Sequence, residues 1–129
     1  MLKRLVASGS LMVAMIAAPA VAQTWTPGSE IVGQSVQVTT NGVVNTVYFD
    51  QGGYARIVSP GGRTVNASWA VNDGQLCLNS GGGAECWPYT QAFQAGQVVT
   101  LTSSCNATST WSANSVNPPP RVENMGERG

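Results

Sequence analysis

The chain has 129 residues, six Lys and Arg against six Asp and Glu, and no His, so its formal charge is zero and 9% of it can ionise. Without an imidazole the commonest general base and metal ligand are missing, which excludes His-dependent triads and zinc sites. So few cations also argue against a nucleic-acid surface, and the length suits one domain.

The first 22 residues read as an export signal. Lys3 and Arg4 precede a mostly apolar stretch, residues 5–18, and Pro19-Ala20-Val21-Ala22 places small residues at Ala20 and Ala22, predicting cleavage before Gln23. A membrane anchor needs about 20 apolar residues, and Ser8-Gly9-Ser10 interrupts a shorter run. Stable membrane insertion is therefore not expected, and no Cys follows the cleavage site to carry a lipid. The signal looks bacterial, with the periplasm or the medium as destination. The mature chain of 107 residues would keep Arg56, Arg63, Arg121 and Arg128 against Glu30, Asp50, Asp73, Glu85, Glu123 and Glu127, four against six, hence −2.

From Ser35 onward apolar residues alternate with polar ones, the period of half-buried strands. Eight strands are expected, at 35–39, 43–49, 54–59, 63–69, 75–79, 84–89, 97–103 and 108–116, with room for one helical turn at 91–97. Asn41-Gly42, Gly52-Gly53, Pro60-Gly61-Gly62, Asp73-Gly74 and Gly81-Gly82-Gly83 punctuate them as tight turns. This is the pattern of an all-β antiparallel meander of about eight short strands over residues 23–116, closed into a small barrel, with a two-sheet sandwich as the alternative. Asn117-Pro118-Pro119-Pro120 ends the last strand, and 117–129 read as a disordered Pro-rich tail.

Cys77 and Cys86 each stand four residues from the pair Gly81-Gly82. A two-residue loop there sets them directly opposite, in a non-hydrogen-bonded pair with Cα atoms about 4.5 Å apart, within reach of a disulfide. The same register sets Leu76 against Trp87 and Leu78 against Glu85 on the other face. Cys105 is left as a free thiol, expected to be buried and inert at the start of the last strand. No neighbouring Lys, Arg or His lowers its pKa. Neither a metal site nor a cofactor is expected from these residues.

A glycosidase-like site needs two carboxyl groups across a cleft. Asp50, Asp73 and Glu85 are the only acids between Glu30 and the tail, and Asp50 and Asp73 sit in turns that favour Asp for backbone capping. Ser80-Gly81-Gly82-Gly83 lacks the Lys and following helix of a phosphate loop. The sequons Asn66-Ala67-Ser68 and Asn106-Ala107-Thr108 carry no weight in a bacterial protein. Nine aromatic residues are the remaining lead. Trp69, Trp87 and Trp111 fit a barrel core, whereas Tyr54 and Tyr89 fall at strand ends, so a ligand-binding patch is expected near Tyr54, Trp87 and Tyr89.

With its segments Ala67-Ser68-Trp69, Gly74-Gln75-Leu76-Cys77 and Glu85-Cys86-Trp87-Pro88-Tyr89, the chain resembles small exported β-rich proteins of unknown function from alphaproteobacteria, particularly sphingomonads. The resemblance implies a β fold over residues 25–116 and carries no activity with it. The expected function is that of an exported, non-catalytic binding or interaction module for an envelope protein, glycan or small molecule. A small hydrolase using Asp50 or Glu85, and a structural envelope protein tethered by its tail, are the alternatives.

Overall fold

The structure, a computed structural model, describes residues 25–119. The expected export signal and residues 120–129 of the expected tail lie outside the described residues. Eight strands follow one another: β1 Gln34–Thr40, β2 Val43–Phe49, β3 Tyr54–Val58, β4 Thr64–Asn72, β5 Gln75–Asn79, β6 Ala84–Pro88, β7 Val98–Thr102 and β8 Thr108–Ala113. All pairings are antiparallel, in the order β6-β5-β4-β3-β2-β1-β8-β7. Since β8 pairs with β1, this order is an up-and-down ring cut once, between β6 and β7. The result is the nearly closed meander barrel, not the sandwich. The seam is stitched at one end, where the Ser104 amide donates to the Cys86 carbonyl at 2.8 Å and the Cys86 amide donates to Ser104 Oγ at 3.1 Å.

Turn chemistry sets the register. Asn41 and Gly42 have φ of 50° and 80°, and Asp73 and Gly74 have 52° and 74°, the double positive φ of type I′ turns that match strand twist. The ladder at the second runs right up to the turn, Asn72 facing Gln75, which makes β4 longer than the expected 63–69. β8 ends short of the expected residue 116 because the chain leaves the sheet after Ala113. Asn117, at the start of the expected tail, then ties the segment after β8 to the turn that precedes β1. Its side-chain amide donates to the Val32 and Ser29 carbonyls at 2.7 and 3.1 Å, and its backbone amide donates to the Glu30 carbonyl at 2.8 Å. The 91–97 connection holds a hydrogen-bonded turn, Gln97 N to Gln94 O, and no helix.

Strand parity sorts the side chains. Val36, Val38, Val47, Phe49, Ala55, Leu76, Leu78, Trp87, Trp111 and Ala113 point inward and are buried, while the outward rows hold Gln37, Thr46, Arg56, Asn66, Ser68, Thr100 and Thr110. Apolar inside and polar outside is the reverse of a lipid-embedded barrel, and among the described residues no helix is long and apolar enough to cross a membrane. Five rings form a column through the interior. Trp25 meets Tyr89 edge-on at 5.3 Å, Tyr89 stacks on Phe93 at 5.4 Å, Phe93 on Trp111 at 5.6 Å, and Trp111 meets Trp87 edge-on at 5.0 Å.

On the outer face Cys77 and Cys86 stand opposite each other, Cα atoms 4.0 Å apart, and are bonded. The link closes a short loop, so its removal in a Cys77→Ala/Cys86→Ala double variant is expected to lower stability by about 2 to 3 kcal/mol in the chain-entropy account. A chemical denaturation midpoint measured at unchanged slope checks this; a loss well under about 1 kcal/mol would show that the ladders hold the hairpin without the staple.

Candidate functional site

The two ends of the barrel differ. One end carries the β2–β3 and β4–β5 turns, the 89–97 connection and the N-terminal segment 25–33, which folds across the bore and buries Ile31, Tyr89 and Phe93. The other end, reached by the β1–β2, β3–β4, β5–β6 and β7–β8 turns, opens into a cavity of about 420 Å³. Val38, Val47, Ile57 and Leu78 wall it, and Trp87 and Trp111 line it from the inner end of the aromatic column. Val43 and Val65, on inward rows but at this rim, are 48% and 41% exposed. Toward this end the inward rows of β2 and β4 change from Phe49 and Trp69 to Val43 and Val65, and those of β6 and β8 from Trp87 and Trp111 to Glu85 and Ser109, leaving volume unfilled.

Both indoles in this cavity are nine-tenths buried or more, and neither Nε1–H has an acceptor among the described residues. A buried donor without a partner costs about 1 to 3 kcal/mol, and both nitrogens lie beneath the cavity surface, closed to a water-sized atom. The polar groups around them are Asn45, Ser109, Thr40 and Glu85. Thr40 and Ser109 share a hydrogen bond at 2.5 Å.

Glu85 faces inward opposite Leu78 and is half-buried. Ser103 Oγ, itself buried, donates to its Oε2 at 2.5 Å and accepts from the Cys105 and Ala107 amides at 3.1 and 3.4 Å. One hydroxyl thus organises the β7–β8 turn and ties it across the seam to β6. Cys105, in that turn, lines the cavity and is free and exposed, which corrects its expected burial: it lies in the turn and not on β8. The disulfide lies on the outer face, so the three sulfurs do not converge.

The expected patch of Tyr54, Trp87 and Tyr89 does not assemble on the surface. Tyr54 is 68% exposed on the outer face, whereas Trp87 and Tyr89 are buried at 5% and 3%. Their parity is the reason, since residues 85, 87 and 89 share the face of Leu76 and Leu78. Trp87 keeps a place at a cavity, but an interior one. Asp50 and Glu85 lie at opposite ends of the barrel. Asp50 is engaged on the outside by Arg56, Nε to Oδ2 at 2.8 Å and Nη2 to Oδ1 at 3.0 Å, which holds its carboxyl below the usual range. They share no cleft.

Sequence reasoning passed over Glu30. It is 6% exposed and receives three donors: Trp25 Nε1–H at 2.9 Å on Oε1, and the Tyr89 hydroxyl at 2.5 Å and the Phe93 amide at 2.9 Å on Oε2. Tyr89 Oη accepts in turn from the Gly28 amide at 2.9 Å. Gly28 has φ +94°, and a Cβ there would meet the Trp69 ring at 3.1 Å, so the segment can lie this close only as glycine. Two of the three donors to Glu30, Tyr89 and Phe93, lie some sixty residues away, beyond any local pattern.

Burial first, then the hydrogen bond to the Glu30 carboxylate, push the Tyr89 phenol far above its ordinary value. The neutral phenol is the form the fold favours, so its contribution is complete below the unfolded value near 10 and is lost as pH rises beyond it. Denaturant midpoints across the alkaline range should fall by up to about 1.4 kcal/mol per pH unit more steeply in the wild type than in Tyr89→Phe; parallel profiles would refute the assignment. At neutral pH a maleimide should label one thiol per folded chain, at Cys105, without denaturant, and labelling only after unfolding would contradict its exposure. No family model, curated protein or solved structure matches the chain.

Proposed function

We propose that this is an exported, non-catalytic binding module that takes a small, partly apolar molecule into the open end of its barrel. The observation that carries the reading is the apolar-walled cavity of about 420 Å³ at the open end, with Thr40, Asn45, Glu85 and Ser109 among its lining. A concave, mostly apolar site with a few converging polar groups is the usual form of a small-molecule pocket, and an eight-stranded barrel is just wide enough to hold one. Aliphatic walls take an apolar body, and Thr40, Asn45 and Ser109 offer hydrogen bonds to a carbonyl, ether or hydroxyl oxygen. The disulfide-bonded domain fits export, and the polar outer face fits a protein without stable membrane insertion.

The geometry favours this over the other readings. A glycan platform needs several exposed rings, and Tyr54 alone among the large aromatics is strongly exposed. A glycosidase-like hydrolase needs paired carboxyl groups, and Asp50 is committed to Arg56 at the far end.

The test uses 2-phenylethanol, a neutral probe with an apolar ring and one hydroxyl oxygen, followed through indole N–H resonances and Trp emission. Two of the four indole signals are expected to move saturably. Trp87→Phe keeps the ring and deletes an unpaired donor, so it should change stability by less than about 1.5 kcal/mol. Indole signals that stay fixed up to the solubility limit of the probe would refute the reading.

A further inference from the structure

We infer that the ligand of this cavity is a cation, a small amphipathic ammonium compound whose charge sits against Glu85 while its apolar body lies along Val38, Val47, Ile57 and Leu78. The inference rests on the binding reading above and specifies its chemistry. Among the described residues Glu85 is the one formally charged side chain lining the cavity. The nearest cations in sequence are Arg56, turned outward to Asp50 and 4.4 Å over the Tyr48 ring, and Arg63, exposed in the β3–β4 turn. Among the described residues no cation lines the pocket to neutralise the carboxylate.

Its position is built, not incidental. An inward Glu opposite Leu78 on a barrel row is a poor choice for packing, and a polar but uncharged residue would accept the Ser103 hydroxyl equally well. Ser103 holds Oε2 at 2.5 Å, fixing the carboxylate at the wall of the cavity that Glu85 lines, and no other hydrogen bond among the described residues reaches it, leaving Oε1 without a partner. An ammonium group there meets a fixed anion in a partly desolvated site, where a charge-assisted hydrogen bond is stronger than one between neutral groups. An anionic ligand would place like charges in the same cavity.

Three probes of one size separate the claims: phenethylamine, 2-phenylethanol and phenylacetate, each titrated against the full mature chain by indole resonances. Phenethylamine is expected to bind roughly fivefold tighter than the alcohol, and phenylacetate more weakly than either. Added salt should erode the advantage of the amine and leave the alcohol unchanged. Glu85→Gln, which keeps an acceptor for Ser103, should bring amine and alcohol to within about twofold, the exposed-pair term being removed. Ser103→Ala, which keeps the charge and loses the tether, should retain a preference for the amine and thereby separates charge from folding. Alcohol bound as tightly as amine, with Glu85→Gln silent, would overturn the inference and leave the binding reading standing. Binding of none of the three would overturn both.

Discussion

An eight-stranded barrel has a bore that aliphatic side chains alone do not fill, and this chain fills half of it with a column of five rings from Trp25 to Trp87. Everything else in the structure depends on how far that column reaches. Trp111 is fully buried between Phe93 and Trp87, and each ring pair adds about 0.5 to 1.5 kcal/mol beyond the area it buries. At Trp87 the column stops, the inward rows continue as Val, Ile and Leu, and the cavity begins. Packing and binding are thus two stretches of one interior, divided by where the aromatic residues end.

The two inward carboxylates mark that division. Glu30 at the plugged end is saturated by three donors and holds together segments far apart in sequence: the N-terminal turn through Trp25, the start of the 89–97 connection through Tyr89, and its middle through Phe93. Buried charge is tolerated on those terms, because each donor replaces hydration that burial removed. Glu85 at the open end has one hydroxyl on one oxygen. A saturated carboxylate serves structure; one with spare acceptor capacity beside a cavity is free to serve a ligand.

Most of the fold was legible because its signals are local. The Asn41-Gly42, Asp73-Gly74 and Gly81-Gly82 turns set their hairpins within a few residues, and counting outward from the last placed Cys77 against Cys86, Leu76 against Trp87 and Leu78 against Glu85, as the ladder has them. That register also held the correction to the expected surface patch: Trp87 shares the face of Leu76, and Tyr89 follows two residues on. Position at a strand end suggests exposure, whereas the 25–33 segment covers that end of the bore. Glu30 left no trace in the sequence, because it lies in a non-periodic turn and its role exists only once distant segments meet. The exposure of Cys105 was hidden for a related reason, since the hydroxyl of Ser103 tightens a turn that pattern alone extends toward the strand.

The staple stands where the ladders are thinnest. β6 is five residues long and is paired along one side only, to β5; its seam side has the Cys86–Ser104 bonds at one end and faces the loosely filled region bounded by Pro88, Gln91 and Val99 beyond. A short edge strand with half its backbone groups unpaired would fray, yet it carries Glu85 and Trp87, two of the groups that define the cavity. Cys77–Cys86 binds this edge covalently to β5, whose other side is fully laddered to β4. The opposite edge, β7, has no such link and relies on its pairing with β8 and on Val99 and Leu101, both packed against the core. Closing the seam with a full ladder would bring β6 and β7 together along their length and narrow the bore at the column's end. The partly open seam keeps the barrel wide enough for its rings and its cavity, and the disulfide offsets the backbone pairing that this width gives up.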